Sequence, residues 1–254
     1  MRRTRSNPFG AFFMLVTVGN VEADVKVAAV MSTPRLGFMD NFFCVTSALT
    51  PHGISPTKVT SAFWGQSLQR AIEDVIDEND VILTIDYDSV FNAKTVEALL
   101  TLLMFSGYDA IAPIQMKREA NSAIFSVEGS DVHGEYEVPD DWFEKPVQPV
   151  ATAHFGLTFI RTAAIKRMTK PWFLFEANDE GTWTGGHVDE DLYFWKNFVG
   201  AGNRLGIATN VSIGHAELMV SWPSRCTQGG KVYQHTTDYW KQRIAPEAAW
   251  GVVK

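Results

Sequence analysis

Val81-Ile82-Leu83-Thr84-Ile85-Asp86-Tyr87-Asp88-Ser89 is the stretch whose reading decides the fold. Asp80–Ile85 reads as a strand buried on both faces, because a continuous apolar run bounded by polar residues suits the inside of a sheet. Two carboxylates, Asp86 and Asp88, then leave that strand one residue apart. In extended geometry such a pair points to the same side. Adjacent anions repel, and a hard divalent cation relieves the repulsion. Mg²⁺ or Mn²⁺ takes oxygen ligands and keeps positions open for phosphate oxygens. A cation held this way clamps a diphosphate and stabilises the charge that grows on it as it departs. The same two acids also suit a loop in which they accept turn or cap hydrogen bonds.

Working outward, the chain alternates strand-like and helix-like pieces. Val25–Met31 reads as a strand. Leu36–Leu49 carries Phe38, Phe42, Val45 and Leu49 at helical spacing. Val59–Phe63 is a short strand, and Leu68, Ala71, Ile72, Val75 and Ile76 form one face of a helix. Residues 92–105 predict a helix capped by Asn92, and Asp109–Gln115 a strand. Polar residues 117–150, punctuated by Gly129, Gly134, Pro139, Pro146 and Pro149, read as an insertion of loops or a hairpin. Alternation resumes with Ala153–Ile160 as strand and Thr162–Met168 as helix. A glycine-rich turn, Gly181–Gly186, leads to an acidic helix start at Asp189–Asp191. This order predicts an α/β fold with an open, mostly parallel sheet flanked by helices. Ligands of such sheets bind beyond the carboxyl ends of the strands. The expected divisions are an N-terminal segment 1–24, a core domain 25–217, and a C-terminal segment 218–254 that covers the active site.

A net charge of −7 argues against a generic nucleic-acid binder. Cys44 and Cys226 show neither CxxC nor zinc spacing, so a reducing, cytoplasmic setting is expected. No apolar run has the length of a membrane span. Arg2, Arg3 and Arg5 before Ala11–Val18 superficially suggest a signal peptide. The run is short, and a buried strand or docked segment is the preferred reading.

Three motifs together resemble nucleotide-sugar glycosyltransferases of the GT-A fold, most like the family-2 type. Ile82–Asp88 is similar to the strand and D-x-D metal motif. Ala151–Arg161, with Gly156 and Leu157-Thr158-Phe159-Ile160, is similar to the strand behind the acceptor site. Gly186–Phe194, containing Glu190-Asp191-Leu192-Tyr193-Phe194, resembles the "ED" helix start. Gly202–Leu205 and Val211–His215 resemble the following turn and the strand ending in a metal-binding histidine.

The resemblance implies Asp88 as main metal ligand, Asp86 on the ribose or a metal-bound water, and His215 completing a site that suits Mn²⁺ better than Mg²⁺. It implies Asp191 as catalytic base with Glu190 as neighbour or substitute, and donor contacts from Tyr87, Gln66, Arg70 and Arg35. The implied donor is a nucleotide-diphosphate sugar, with uridine favoured by family frequency and inversion favoured over retention. The acceptor stays open among glycan, protein, small molecule and modified nucleic-acid base. Two features depart from the family: Thr33-Pro34-Arg35 replaces its usual opening, and an extra acid, Asp189, precedes the pair. Independently of any family, Asp189, Glu190 and Asp191 also suit a helix N-terminus simply by capping and dipole.

Further candidates are Arg225, Lys231, Lys241 and Arg243 as cations over the diphosphate, Trp183, Trp222 and Trp240 as stacking surfaces, and Asn178–Gly181 as an acceptor loop. A strand followed by D-x-D is also the nucleophile signature of haloacid-dehalogenase-type phosphotransferases, with Asp86 as nucleophile. A nucleotidyltransferase needs a glycine-rich loop where Ser32-Thr33-Pro34-Arg35 stands. A binding module without catalysis is the third class.

Overall fold

The sheet is built around β2 (Val21–Ser32), whose Val25, Val27 and Ala29 face one side and Val30 the other. We describe it from a computed structural model covering residues 13–18, 21–34, 37–118, 122–127, 140–183, 185–224 and 230–249. The chain divides into two compact units, Met1–His215 and Ala216–Lys254.

In the first unit, β1 (Phe13–Val18) pairs antiparallel with the start of β2, so the boundary expected at residue 24 falls inside a strand. Helix α1 (Met39–Leu49) follows, then β3 (Thr57–Val59), which pairs in parallel with the end of β2. Helix α2 (Trp64–Val75) leads to β4 (Val81–Asp86), parallel to β2 on its other edge. Tyr87 and Asp88 form a turn into β5 (Ser89–Val90), and α3 (Ala93–Phe105) starts at Asn92, whose side chain accepts from Thr95 N in a reciprocal cap. Then come β6 (Ala110–Ile114), β7 (Phe125–Ser126), β8 (Val147–Pro149), β9 (Thr152–Ala153), β10 (Leu157–Arg161) and the short helix α4 (Thr162–Lys166). Helix α5 (Glu190–Gly200), β11 (Leu205–Ser212) and β12 (Gly214–His215) close the unit.

The strand order is β1-β2-β4-β10-β6-β11-β8, with β3 also on β2. Strands β2, β3, β4, β6 and β11 run one way, and β1, β8 and β10 run against them. The expected strand Ala153–Ile160 is therefore split. Its second half, β10, lies antiparallel between β4 and β6, because no crossover helix precedes it to reverse the chain. Strand periodicity sorts β4 cleanly: Val81, Leu83 and Ile85 pack under α1 and α3, while Ile82 packs toward α2, α4 and α5.

In the second unit, β13 (Met219–Pro223) and β14 (Lys231–His235) form an antiparallel pair followed by α6 (Thr236–Gln242). Among the described residues no helix is long and apolar enough to cross a membrane.

The break before β10 positions the end of β4. Gly156 O accepts from Asp86 N at 3.2 Å, and Gly156 N donates to His154 Nδ1 at 3.0 Å. His154 Nε2 donates to Pro113 O at 2.9 Å, so the buried ring is a neutral spacer between β6 and β10. A Cβ on Gly156 would stand 2.6 Å from both Gln115 Oε1 and Ser89 Oγ, so any other residue there would displace these side chains. Burial holds the His154 pKa down to about 4, opposed by the Pro113 carbonyl and aided by the charge of His215.

The unfolded chain protonates this ring near 6.5, whereas the folded protein resists down to about 4. Its contribution is complete above pH 6.5 and is lost as pH falls to 4, by about 3 kcal/mol. Asp86 and Asp191, with raised pKa values, act in the opposite sense and cancel in a comparison with His154→Gln. Urea unfolding from pH 7 to 4 should show the difference in stability between wild type and variant moving against the wild type by that amount. A difference that stays flat with pH would mean that the buried ring is not held neutral.

Candidate active site

The carboxyl ends of β2, β3, β4 and β6 open onto one cleft of about 490 Å³. Ser32–Pro34, Ser61, Ala62, Trp64, Asp86–Asp88 and Gln115 line it from the sheet side. Phe155, Phe175 and Asp189–Asp191 line it from the other. This is where an open α/β sheet offers its backbone ends to a ligand.

Asp86 is the last residue of β4. Its carboxyl is pushed up to about 7, first by burial, then by the charges of Asp88 and Asp191. His215 and a hydrogen bond from Trp64 pull the other way. Asp88 reaches the same cleft through the Tyr87–Asp88 turn rather than by continuing an extended strand, as the sequence suggested. It is 3% exposed, and its Oδ2 meets His215 Nε2 at 3.3 Å and Arg118 Nη1 at 3.4 Å.

Strand register sets the first of these contacts, because Ser89 of β5 pairs with His215 of β12. His215 Nδ1 donates to Met116 O at 2.9 Å, which turns Nε2 toward Asp88. Burial works against the imidazolium, but Asp88 and the Met116 carbonyl outweigh it and raise the His215 pKa. The turn itself is staked on both sides. Asn41 of α1, buried, donates to Ser89 O and to Asp86 O. Cys44 donates to Phe91 O and accepts from Phe91 N. From β6, Gln115 Nε2 donates to Ser89 Oγ and Gly214 O.

Across the cleft, α5 presents its first turn. Glu190 Oε2 accepts from Gly65 N at 2.8 Å, so this carboxylate ties α5 to the first turn of α2. Gly65 has no room for a Cβ, which would lie 2.6 Å from Phe173 Cβ and 2.8 Å from Glu190 Cδ. Asp189 pairs with His187 at 3.0 Å. Asp191 Oδ1 accepts from Leu192 N at 2.8 Å. Its pKa is raised to about 6 by burial; the Leu192 amide opposes this, and the charges of Asp189 and Glu190 add to it. The helix is fixed from behind by Phe194, Trp195 and Phe198, all fully buried. Phe194 stacks on Phe173 at 4.8 Å and Trp195 on Phe155 at 5.0 Å.

Asp86, Tyr87, Asp88, Glu190, Asp191 and His215 thus line one cleft. Gln66 and Arg70 do not. They sit one turn apart on the solvent stripe of α2, because Gly65, Ser67 and Leu68 take its inner face. Arg35 and Arg225 lie outside the described residues. Lys231, Lys241, Arg243, Trp222 and Trp240 belong to the second unit, where Arg243 lies over the Trp240 ring at 4.0 Å. Asn178–Gly181 is a tight turn, its Asn178 Oδ1 accepting from Glu180 N and Thr182 N. Trp183 stands edge-on to the cleft residue Phe175 at 4.8 Å.

Sequence reasoning missed Asn41, Trp64, Gln115, Arg118 and His154. The rule about carboxyl ends of strands could have found Gln115 and Arg118, which follow β6 as Asp88 follows β4. Among the described residues, no group of three His, Cys, Asp or Glu side chains is gathered so as to hold a metal ion.

No family model and no curated protein sequence matches this chain. Among solved structures, GalNAc-T7 with UDP, GalNAc and Mn²⁺ aligns at TM-score 0.52 and 10% identity, over 76% of this chain and 44% of that one. A197 from STIV aligns at TM-score 0.47 and 15% identity, over 76% and 96% of the two chains. TarS 1-349 of S. aureus, in complex with UDP-GlcNAc, aligns at TM-score 0.42 and 13% identity, over 76% and 59%. This chain therefore spans less than two thirds of GalNAc-T7 and of the TarS chain. The likeness to GalNAc-T7 is one of fold: an α/β structure of GT-A type, with an open, mostly parallel sheet flanked by helices.

Proposed function

We propose that this protein is a metal-dependent glycosyltransferase that moves a sugar from a nucleoside-diphosphate sugar, of uridine by preference, to an acceptor hydroxyl. One observation carries the reading. Asp86 and Asp88 from the end of β4, His215 from β12 and Asp191 from α5 line a single cleft, and Asp86 lies within the fields of both other acids.

Asp88 Oδ2 and His215 Nε2, 3.3 Å apart, supply two donors, an oxygen and a nitrogen, of the types that Mn²⁺ accepts, and leave its other positions to phosphate and water. The Met116 carbonyl holds the Nδ1 proton of His215, which leaves Nε2 for coordination. Burial and mutual repulsion raise the cost of ionising Asp86, a cost that a dication relieves. Asp88 and His215 would be its ligands, with Asp86 beside them. Bound there, the cation supplies Lewis-acid stabilisation of the departing diphosphate.

The protein groups do the rest. Asp191 takes the proton of the attacking hydroxyl on Oδ2, since Leu192 N occupies Oδ1. A pKa near 6 leaves that base ionised at neutral pH and still able to accept a proton. Glu190 holds the first turns of α2 and α5 together, which keeps Asp191 facing β4. Tyr87, stacked on Phe38 with centroids 6.0 Å apart, offers an aromatic wall for the nucleobase.

Thermal unfolding should show a gain when UDP and Mn²⁺ are added together, of about 5–10 °C at a hundredfold excess over Kd. Asp88→Ala should abolish it. No response in the wild type, or a beryllofluoride adduct on Asp86, would overturn the assignment. Asp191→Asn should cut donor turnover by about 10²–10⁴ while UDP binding persists. Wild-type turnover should fall about tenfold per pH unit below pH 6, as Asp191 gains a proton. A rate indifferent to pH between 7 and 5 would remove Asp191 from the role.

A further inference from the structure

Arg118 has no part in the chemistry above, yet it reaches the most buried acid of the cleft. Past Ile114 the chain pairs, over Gln115–Lys117, with Ser122–Ile124. Ile124 N donates to Gln115 O at 2.8 Å, Met116 bridges Ala123, and Lys117 N donates to Ser122 O at 2.9 Å. Met116 in this stretch supplies the carbonyl that orients His215. Two residues on, Arg118 extends over the cleft and lines it. Its Nη1 and the Nε2 of His215 converge on one atom, Asp88 Oδ2, at 3.4 and 3.3 Å.

That convergence creates a competition. A divalent cation coordinated by Asp88 and His215 would need the same carboxylate oxygen that the guanidinium now shares, and like charges at such range repel strongly. The Arg118 side chain is long and 47% exposed, so its charged head stands at the solvent edge of the cleft. A donor diphosphate lying against the cation would offer this guanidinium a planar, bidentate partner.

We propose that Arg118 is an exchangeable counter-ion: it neutralises Asp88 until a divalent cation takes Oδ2, and it then binds the phosphate oxygens of the donor. The inference rests on the donor reading given above. It assigns to one residue two effects of opposite sign, opposing the metal and favouring the diphosphate.

Mn²⁺ titration followed by electron paramagnetic resonance, without nucleotide, reads the first effect. Calorimetric titration of UDP and of UMP at saturating Mn²⁺ reads the second. Arg118→Ala should bind Mn²⁺ about tenfold more tightly and UDP about tenfold more weakly, with UMP changed much less. Arg118→Lys keeps the charge and loses the fork, so its Mn²⁺ affinity should stay near that of the wild type and its UDP affinity should fall between the two. A misfolded variant would weaken both ligands together, so opposite shifts report the role itself. If the wild type binds Mn²⁺ and UDP, and Arg118→Ala shifts both the same way or neither, the counter-ion role is overturned and the donor reading stands. If the wild type binds no UDP with Mn²⁺, both fall.

Discussion

At the carboxyl end of β4 the partly buried Asp86 carboxyl lies within the fields of Asp88 and Asp191, and the surrounding structure has to hold that repulsion in place. Left alone, such a cluster would splay apart or stay protonated. Three neighbours offset it: the Trp64 N–H at Asp86, and the imidazole and guanidinium at Asp88. Each comes from a different part of the chain: the first turn of α2, β12, and the segment after β6. The acids therefore act as a cross-link as well as a site, because each of those elements contributes a contact to them.

Rigidity at this point comes from polar locks laid over apolar packing. Asn41 and Cys44 hold the turn after β4 from the α1 side, and Gln115 holds it from β6. Gly156 supplies the carbonyl for Asp86 N, its lack of a side chain leaves room for Gln115 and Ser89, and His154 spaces it from Pro113. Opposite, the stack of Phe155, Phe173, Phe194 and Trp195 fixes α5 against α2. A cleft whose two walls are each set by buried contacts keeps its width without a ligand, which is what preorganised recognition of charge requires.

The order of elements was legible because its signals are local: a buried apolar run for β4, helical spacing for α2, and Asn92 before α3. What escaped was non-local. Nothing in Ala153–Ile160 announces that its second half runs antiparallel between β4 and β6, since direction depends on where the preceding chain comes from. Helix spacing around Leu68 and Ile72 could have shown that Gln66 and Arg70 face solvent, because the stripe that buries Leu68 turns them outward. Motif resemblance, not periodicity, grouped Asp86, Asp88, Asp191 and His215; the approach of His215 to Asp88 depends on a two-residue pairing, β5 with β12, too short to carry any periodic signal.

The acidic triplet at the start of α5 shows why helix physics and site chemistry are not rival readings of the same residues. A carboxylate in a first turn is normally favoured as an anion by the helix dipole and by the free amides there. Asp191 has such an amide at Leu192, yet burial and the charges of Asp189 and Glu190 outweigh it and raise its pKa to about 6. Glu190 meanwhile spends its own oxygen on Gly65 N, capping α2 rather than α5. One acid thus docks the helix, and its charge, with that of Asp189, makes the third a stronger base than an isolated aspartate. Replacing either neighbour by a neutral residue would leave a helix that still forms, with a weaker proton acceptor at its tip.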